Sequence, residues 1–401
     1  MSKLFPLRGC VQPYAWGGSS FIADLIGYKG NEKIIAEYWL GAHVNAPATI
    51  STLEGEKKLD AFLLEKPQAY LGSYVQNNFN RLPYLFKVLD VKDMLSIQVH
   101  PTKKQAEIGF EEENKRGVAP DATTRNFKDD NHKPEIMVAL SEFWLLHGFL
   151  PEAALTEVLK ANPEFSELIP IFETQGYKGL YQTVMEQPQE KCNAQLRPLI
   201  DRVLPLYEAG KLDKSSPDFW AARAAASQKE SKTIDKGIYS IYFFNIIKAQ
   251  EGEAVFQDAG LPHAYLEGQN IELMANSDNV LRGGLTPKHI DIKALMEHVK
   301  FEATHPIIFS GDASNDGTER IYHTPVKDFE LSKIELPAQE SYENRCETIE
   351  IVLCLKGQVT LTESENQLTL EKGQSALLTS GAQYKITSKS ATQLFKASVP
   401  Q

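Results

Sequence analysis

Four residues have the types and spacing to hold a metal ion. In Ser-Ile-Gln-Val-His (96–100), Gln98 and His100 alternate, so on a strand they point to one face. Glu135 ends His-Lys-Pro-Glu (132–135) and opens an apolar run, which places it at a strand start. His263 follows Gly-Leu-Pro in a turn before another strand-like run. Two imidazoles, a carboxylate and an amide oxygen form a nitrogen/oxygen set. Such a set suits zinc, or another borderline divalent ion, with room for water or substrate. The same spacing also describes two half-buried histidines at strand ends that bind nothing. Spacing by itself leaves both readings open.

Basic residues gather in the same stretches. Lys133 precedes Glu135, Arg282 sits in Asn-Val-Leu-Arg-Gly-Gly-Leu, and Lys288 follows shortly after. The apolar and glycine neighbours of Arg282 indicate a partly enclosed position. Lys103 and Lys104 read as solvated surface. Local positive charge stands out because the chain is acidic overall: 42 Lys+Arg against 53 Asp+Glu, a net charge of −11. Arginine suits bidentate phosphate binding, and lysine acts as a point charge. The net charge argues against wrapping nucleic acid through its phosphates. It permits a small anion in a local pocket.

Those residues need a scaffold. With 401 residues the chain is long enough for two or three domains, and 42% hydrophobic residues is ordinary globular composition. Up to about residue 150, short apolar runs such as YLFKVLDV (84–91), SIQVH (96–100) and EIMVAL (135–140) read as strands. From 151 to about 230 the pattern becomes helical. Leu196, Leu199, Ile200, Val203, Leu204 and Tyr207 share one helix face, and 215–228 offers a Ser cap, Pro, Asp and an Ala-rich body. From Gly237 strands are expected again, beginning with GIYSIYFFNIIKA, with one helix at 289–299. Many short strands with glycine punctuation point to a sandwich or barrel.

Residues 251–266 and 372–387 look like one strand–turn–strand unit used twice, with Tyr384 at the position of His263. Coincidence between two hairpins would look similar. No glycine-rich dinucleotide fingerprint or P-loop is present. No apolar run approaches the roughly 18 residues that span a bilayer. The N-terminus lacks a signal-peptide pattern. Cys10, Cys192, Cys346 and Cys354 are few and scattered, without a C-x-x-C pair, so neither a thiolate zinc cluster nor a redox dithiol is indicated, and a disulfide-dense scaffold is excluded. A cytoplasmic, reduced protein is expected.

Six motifs in order, VQPYAWGG (11–18), EYWLGAH (37–43), SIQVHP (96–101), DNHKPE (130–135), GLPHAYL (260–266) and IELMANSDNVLRGGLTPKHID (271–291), resemble those of the type I mannose-6-phosphate isomerases, or phosphomannose isomerases. Together they are highly specific, although the part beyond about His323 matches only as a generic barrel. The resemblance implies a mainly β fold of cupin-type, jelly-roll β-barrels with an all-helical insertion. The expected division is a discontinuous catalytic barrel (1–150 and 237–320), a helical insertion (151–236) and a C-terminal barrel without metal ligands (321–401). It implies one zinc ion per chain on Gln98, His100, Glu135 and His263. Arg282, Glu272 and Lys133 fall on catalytic positions. Ser96, Lys288, Trp16 and His132 fall on substrate positions. Gly-Gly-Leu after Arg282 departs slightly from the family's Ala-Gly-Phe or Ala-Gly-Leu.

The implied activity interconverts mannose 6-phosphate and fructose 6-phosphate. The implied partner is a small sugar phosphate, with no nucleic acid and no membrane, and the chain is expected to act as a monomer. Two other classes use similar barrels: a metal-dependent oxygenase and a non-catalytic sugar-phosphate-binding protein. Redox iron sites of this barrel type usually offer more imidazole than this set, and a sensor could dispense with the proton carriers.

Overall fold

The computed structural model describes residues 2–227 and 232–401. Its organising element is the strand His263–Ala275, which runs through both sheets of a first β-barrel. The first half of this strand pairs with Phe143–Phe149 and touches Ile97–Val99, which in turn pairs with Leu281–Gly284. Its second half pairs with Tyr84–Val91 and Glu135–Ala139. All these pairings are antiparallel. Between the halves the register shifts at Tyr265/Glu267, and Gly268 adopts φ 126°. A Cβ there would lie 2.6 Å from the Glu142 carbonyl oxygen. The bulge and the glycine let one strand turn the barrel corner. We expect Gly268→Ala to lower stability by about 1–3 kcal/mol, read as a shifted urea midpoint. An unchanged midpoint would mean the corner can form without glycine.

The sheets have different outer partners. Ile271 and Leu273, with Phe86, Val88, Ile136 and Val138, pack against Ile351, Leu353 and Phe395 of a second barrel. Ala264, Leu266, Trp144 and Leu146 pack against helices Glu152–Ala161, Ile169–Glu186, Gln189–Glu208 and Pro217–Ser227. A strand covered on both faces has no need to alternate. Tyr84–Val91 is accordingly buried at every residue. The chain is thus mainly β, with cupin-type barrels and a helical layer.

The expected strands at 84–91, 96–100 and 135–140 appear as Tyr84–Val91, Ile97–Val99 and Glu135–Ala139. The helix expected at 289–299 is Ile292–His298, capped by the Asp291 side chain. That expected over 215–228 is Pro217–Ser227, and Gln228 lies outside the described residues.

Two expectations change. The aromatic, β-branched run from Gly237 does not begin as a strand. Gly237–Phe243 is a helix, and the strand starts only at Phe244–Ala249. All seven helix residues are buried, several of them among the helical layer. Packing on every side outweighs the local strand preference. Second, Leu4–Arg8, Thr49–Thr52 and Gly55–Lys58 lie in the nine-stranded sheet of the second barrel, not in the first. Phe5, Leu7 and Ile50 bury their side chains in the core between the barrels. The boundary drawn at 320/321 falls inside the strand Glu319–Tyr322 of that same sheet.

The repeated unit is visible in the backbone. Gly252 and Gly373 have φ 86° and 81°, and Gly260 and Gly381 have φ 78° and 75°. Tyr384 takes the place of His263, and its hydroxyl donates to Glu350 at 2.7 Å.

Candidate active site

His100, Glu135 and His263 arrive from three strand ends and meet inside the first barrel. One ligand atom from each lies within 4.8 Å of the others, and all three residues are buried. His100 Nδ1 lies 2.9 Å from the Asn279 carbonyl, and His263 Nδ1 lies 2.9 Å from the Leu261 carbonyl. A carbonyl only accepts, so Nδ1 carries the proton in both rings. Both Nε2 atoms then present lone pairs. Each points at Glu135, His100 to Oε1 and His263 to Oε2, both at 3.3 Å. Neither Nε2 has a hydrogen-bond partner among the described residues.

Burial pushes the His100 imidazole down to about 4, against the pull of Glu135, so it is neutral near pH 7. Burial alone would raise the Glu135 carboxyl. The Lys133 ammonium leads the effects that oppose burial, and the group lies well below its usual range. Acceptors facing acceptors in a buried site is an arrangement a cation resolves. The donor set therefore fits a divalent metal ion. Gln98 is the cross-strand partner of His263 and also of Arg282, which places it next to both in the sheet.

Glu272 and Lys87 face each other across neighbouring strands, with Nζ 2.9 Å from the Glu272 carboxylate. Lys87 also lies 3.6 Å from Glu37 and 5.2 Å from the centre of the Trp39 ring. Trp39 Nε1 donates to Glu37. Lys87 holds its proton more tightly than a free lysine because the two carboxylates outweigh its burial. Burial raises the Glu272 carboxyl, with Lys87 opposing. Glu272 is thus a buried acid paired with a lysine, not with Arg282. Lys133 closes the group at 3.1 Å from Glu135.

Arg282 makes no ion pair among the described residues. Burial lowers the pKa of Lys288, and Arg282 and Lys128 lower it further, so three cations stand near one another. Lys288 and Lys128 likewise form no ion pair among the described residues. This is an anion-binding arrangement. Ser96 is half-buried just before Ile97–Val99. Trp16 packs against the barrel interior and stacks on Tyr14 at 5.9 Å. His132 does not join this group. Its Nε2 sits 3.0 Å from both oxygens of Asp328, which fastens the loop before Lys133 to the second barrel. Lys103 and Lys104 are exposed.

Sequence reasoning missed Lys87, Glu37 and Lys128. Lys87 had a signal: a lone cation in an apolar strand expected to be buried, where lysine is rare unless paired. Glu37 bonds its neighbour Trp39, but its link to Lys87, like that of Lys128 to Lys288, spans a long stretch of chain.

A cupin-type barrel with a buried nitrogen/oxygen metal site, a buried Lys–Glu pair and an adjacent cationic group defines a class of metal-dependent proteins suited to anionic ligands. Residues 4–152 match the family model "Phosphomannose isomerase type I, catalytic domain", and 318–393 match "Mannose-6-phosphate isomerase, cupin domain". The mannose-6-phosphate isomerase of Salmonella typhimurium is 36% identical over 378 residues, 93% of this chain and 94% of the relative. The Homo sapiens enzyme of that name is 31% identical, covering 96% and 95%. A crystal structure of the Salmonella typhimurium isomerase bound to substrate (F6P) and zinc superposes with a TM-score of 0.88 at 31% identity, covering 100% of both chains. A zinc-bound mannose 6-phosphate isomerase structure gives 0.87 at 30%, again covering 100% of both. The chain belongs to the type I phosphomannose isomerase family.

Proposed function

We propose that this chain is a zinc-dependent aldose–ketose isomerase that interconverts mannose 6-phosphate and fructose 6-phosphate through a cis-enediol(ate). Its product would feed GDP-mannose synthesis or carry mannose into glycolysis. The observation that carries the reading is the convergence of His100, Glu135 and His263 beside both the Lys87–Glu272 pair and a group, Arg282, Lys288 and Lys128, that forms no ion pair among the described residues. Family membership and the zinc and F6P of the Salmonella structure support the same conclusion. Gln98, His100, Glu135 and His263 would hold one zinc ion. Bound there, zinc supplies Lewis acidity toward the sugar oxygens.

The remaining roles belong to the chain. Glu272 is the base that moves the proton between C2 and C1. Its burial raises its pKa toward the range where a carboxylate accepts and returns a proton efficiently. Lys87 holds it in place. Lys133 orients Glu135 and presents an ammonium to the sugar oxygens. Arg282 faces the developing enediolate and shares the phosphate with Lys288 and Ser96. Trp16 offers an aromatic wall. His132 supports Lys133 from the pocket edge through its bond to Asp328. Catalysis on this reading belongs to the first barrel, while the helical layer and the second barrel, with the N-terminal strands that join it, cover its outer faces. A cytoplasmic monomer without nucleic-acid or membrane partners accords with the net charge of −11 and the scattered cysteines.

The test is proton exchange. Mannose 6-phosphate incubated with enzyme in D2O should gain deuterium at C2. Glu272→Gln should abolish that exchange while substrate still binds. Retained exchange would remove Glu272 from the chemistry.

A further inference from the structure

The helical insertion returns to the barrel at Asp235, and this residue is bonded to the loop that follows Arg282. Its Oδ1 accepts the Leu285 N–H at 2.8 Å and its Oδ2 accepts the Thr286 N–H at 2.9 Å. Oδ1 also accepts the Gly237 N–H at 2.7 Å, at the start of the helix Gly237–Phe243. One carboxylate therefore ties three backbone amides from two segments. Thr286 passes the order on, since its hydroxyl accepts the Lys288 N–H at 3.1 Å.

The loop needs such a tie. Leu285 has φ 54°, a conformation an L-residue with a side chain seldom adopts without support. Gly284 has φ 130°, and a Cβ there would lie 2.4 Å from the Gly237 Cα. A Cβ on Gly283 would lie 2.9 Å from the Tyr181 hydroxyl, in the helix Ile169–Glu186 of the insertion. The two glycines allow the loop to lie against the insertion, and Asp235 fastens it there. Arg282 stands just before this stretch and Lys288 just after it. Among the described residues neither makes an ion pair that could hold it in place.

We propose that Asp235 is a positioning residue: it fixes the 284–288 loop so that Arg282 and Lys288 converge on the phosphate of the substrate. The helical insertion on this view does more than cover the barrel, because its last residues shape the anion subsite. The inference rests on the phosphate assignment made above for Lys288 and Arg282.

The experiment uses zinc-loaded enzyme and inorganic phosphate as the probe. In Asp235→Asn the amide still accepts through one oxygen, but its NH2 faces the Thr286 N–H, donor against donor. We expect KM for mannose 6-phosphate and the competitive inhibition constant of phosphate both to rise about tenfold, with a smaller fall in kcat, because strand pairing with Gln98 still holds the Arg282 backbone. Amide hydrogen exchange at Leu285 and Thr286 should speed up, while the barrel strands stay protected. A purely structural role for Asp235 would lower the melting temperature and leave KM and the phosphate constant unchanged, and that result overturns the proposal. Gly284→Ala keeps the carboxylate but pushes the loop off Gly237, so it should give the same rise in both constants. Should Asp235→Asn fail to fold, this variant decides the matter, and unchanged constants in it overturn the proposal. Lys288→Ala separates the positioning role of Asp235 from the phosphate assignment. If it weakens phosphate and Asp235→Asn does not, the positioning role falls and the phosphate assignment stands. If neither weakens phosphate, the assignment falls and the positioning role with it.

Discussion

His263→Ala should lose the metal and lower kcat by about 10³ or more. A bound metal supplies several kcal/mol of transition-state stabilisation, and each 1.36 kcal/mol is worth about tenfold. His263 is also hard to replace. It comes from the central strand, its Nδ1 is fixed by the Leu261 carbonyl, and its Nε2 points at the Glu135 oxygen that His100 does not face. Alanine would leave a carboxylate and one imidazole, with Gln98 beside the gap. The check is zinc content after dialysis, together with the rate of mannose 6-phosphate conversion. Wild-type protein stripped with a chelator should be silent and should recover with one equivalent of zinc. Stoichiometric zinc without turnover, in the native protein, would show that the motifs hold a metal for other chemistry. The oxygenase and sugar-phosphate-sensor readings would then take precedence.

Arg282→Ala should lower kcat by about 10²–10³, the usual cost of losing one preorganised stabiliser of a developing oxyanion. Zinc should stay bound, because Arg282 neighbours Gln98 across the sheet and contributes no atom to the His–Glu–His group. That separates this variant from His263→Ala, where metal and rate fall together. It also separates Arg282 from Lys288, whose loss should act on KM and phosphate binding. Arg282 suits the role physically: it is partly buried, has no carboxylate partner among the described residues, and keeps its charge although burial lowers its pKa. Near-normal turnover in a zinc-replete Arg282→Ala enzyme would remove it from the chemistry.

The candidate metal residues could be read from the chain because strand periodicity is local. Gln98 and His100 share a face by alternation, and Glu135 opens a strand because an apolar run follows it. The texture change after residue 150 marked the helical layer for the same reason, since the helical period shows within a few turns. Other features depended on contacts between distant segments. Lys87 became a site residue only when register set it opposite Glu272 and beside Trp39. Gly237–Phe243 became a helix because it is buried on all sides, which no window of sequence reports. Leu4–Arg8 joined the second barrel because strand Ser375–Leu378 lay open to pair with it. His132 turned to Asp328, and Asp235 to the loop after Arg282, through bonds that span long stretches of chain. Periodicity and short motifs thus determined which side chains could do chemistry. Only long-range pairing and burial decided which of them meet, because those energies come from partners that sequence proximity does not reveal.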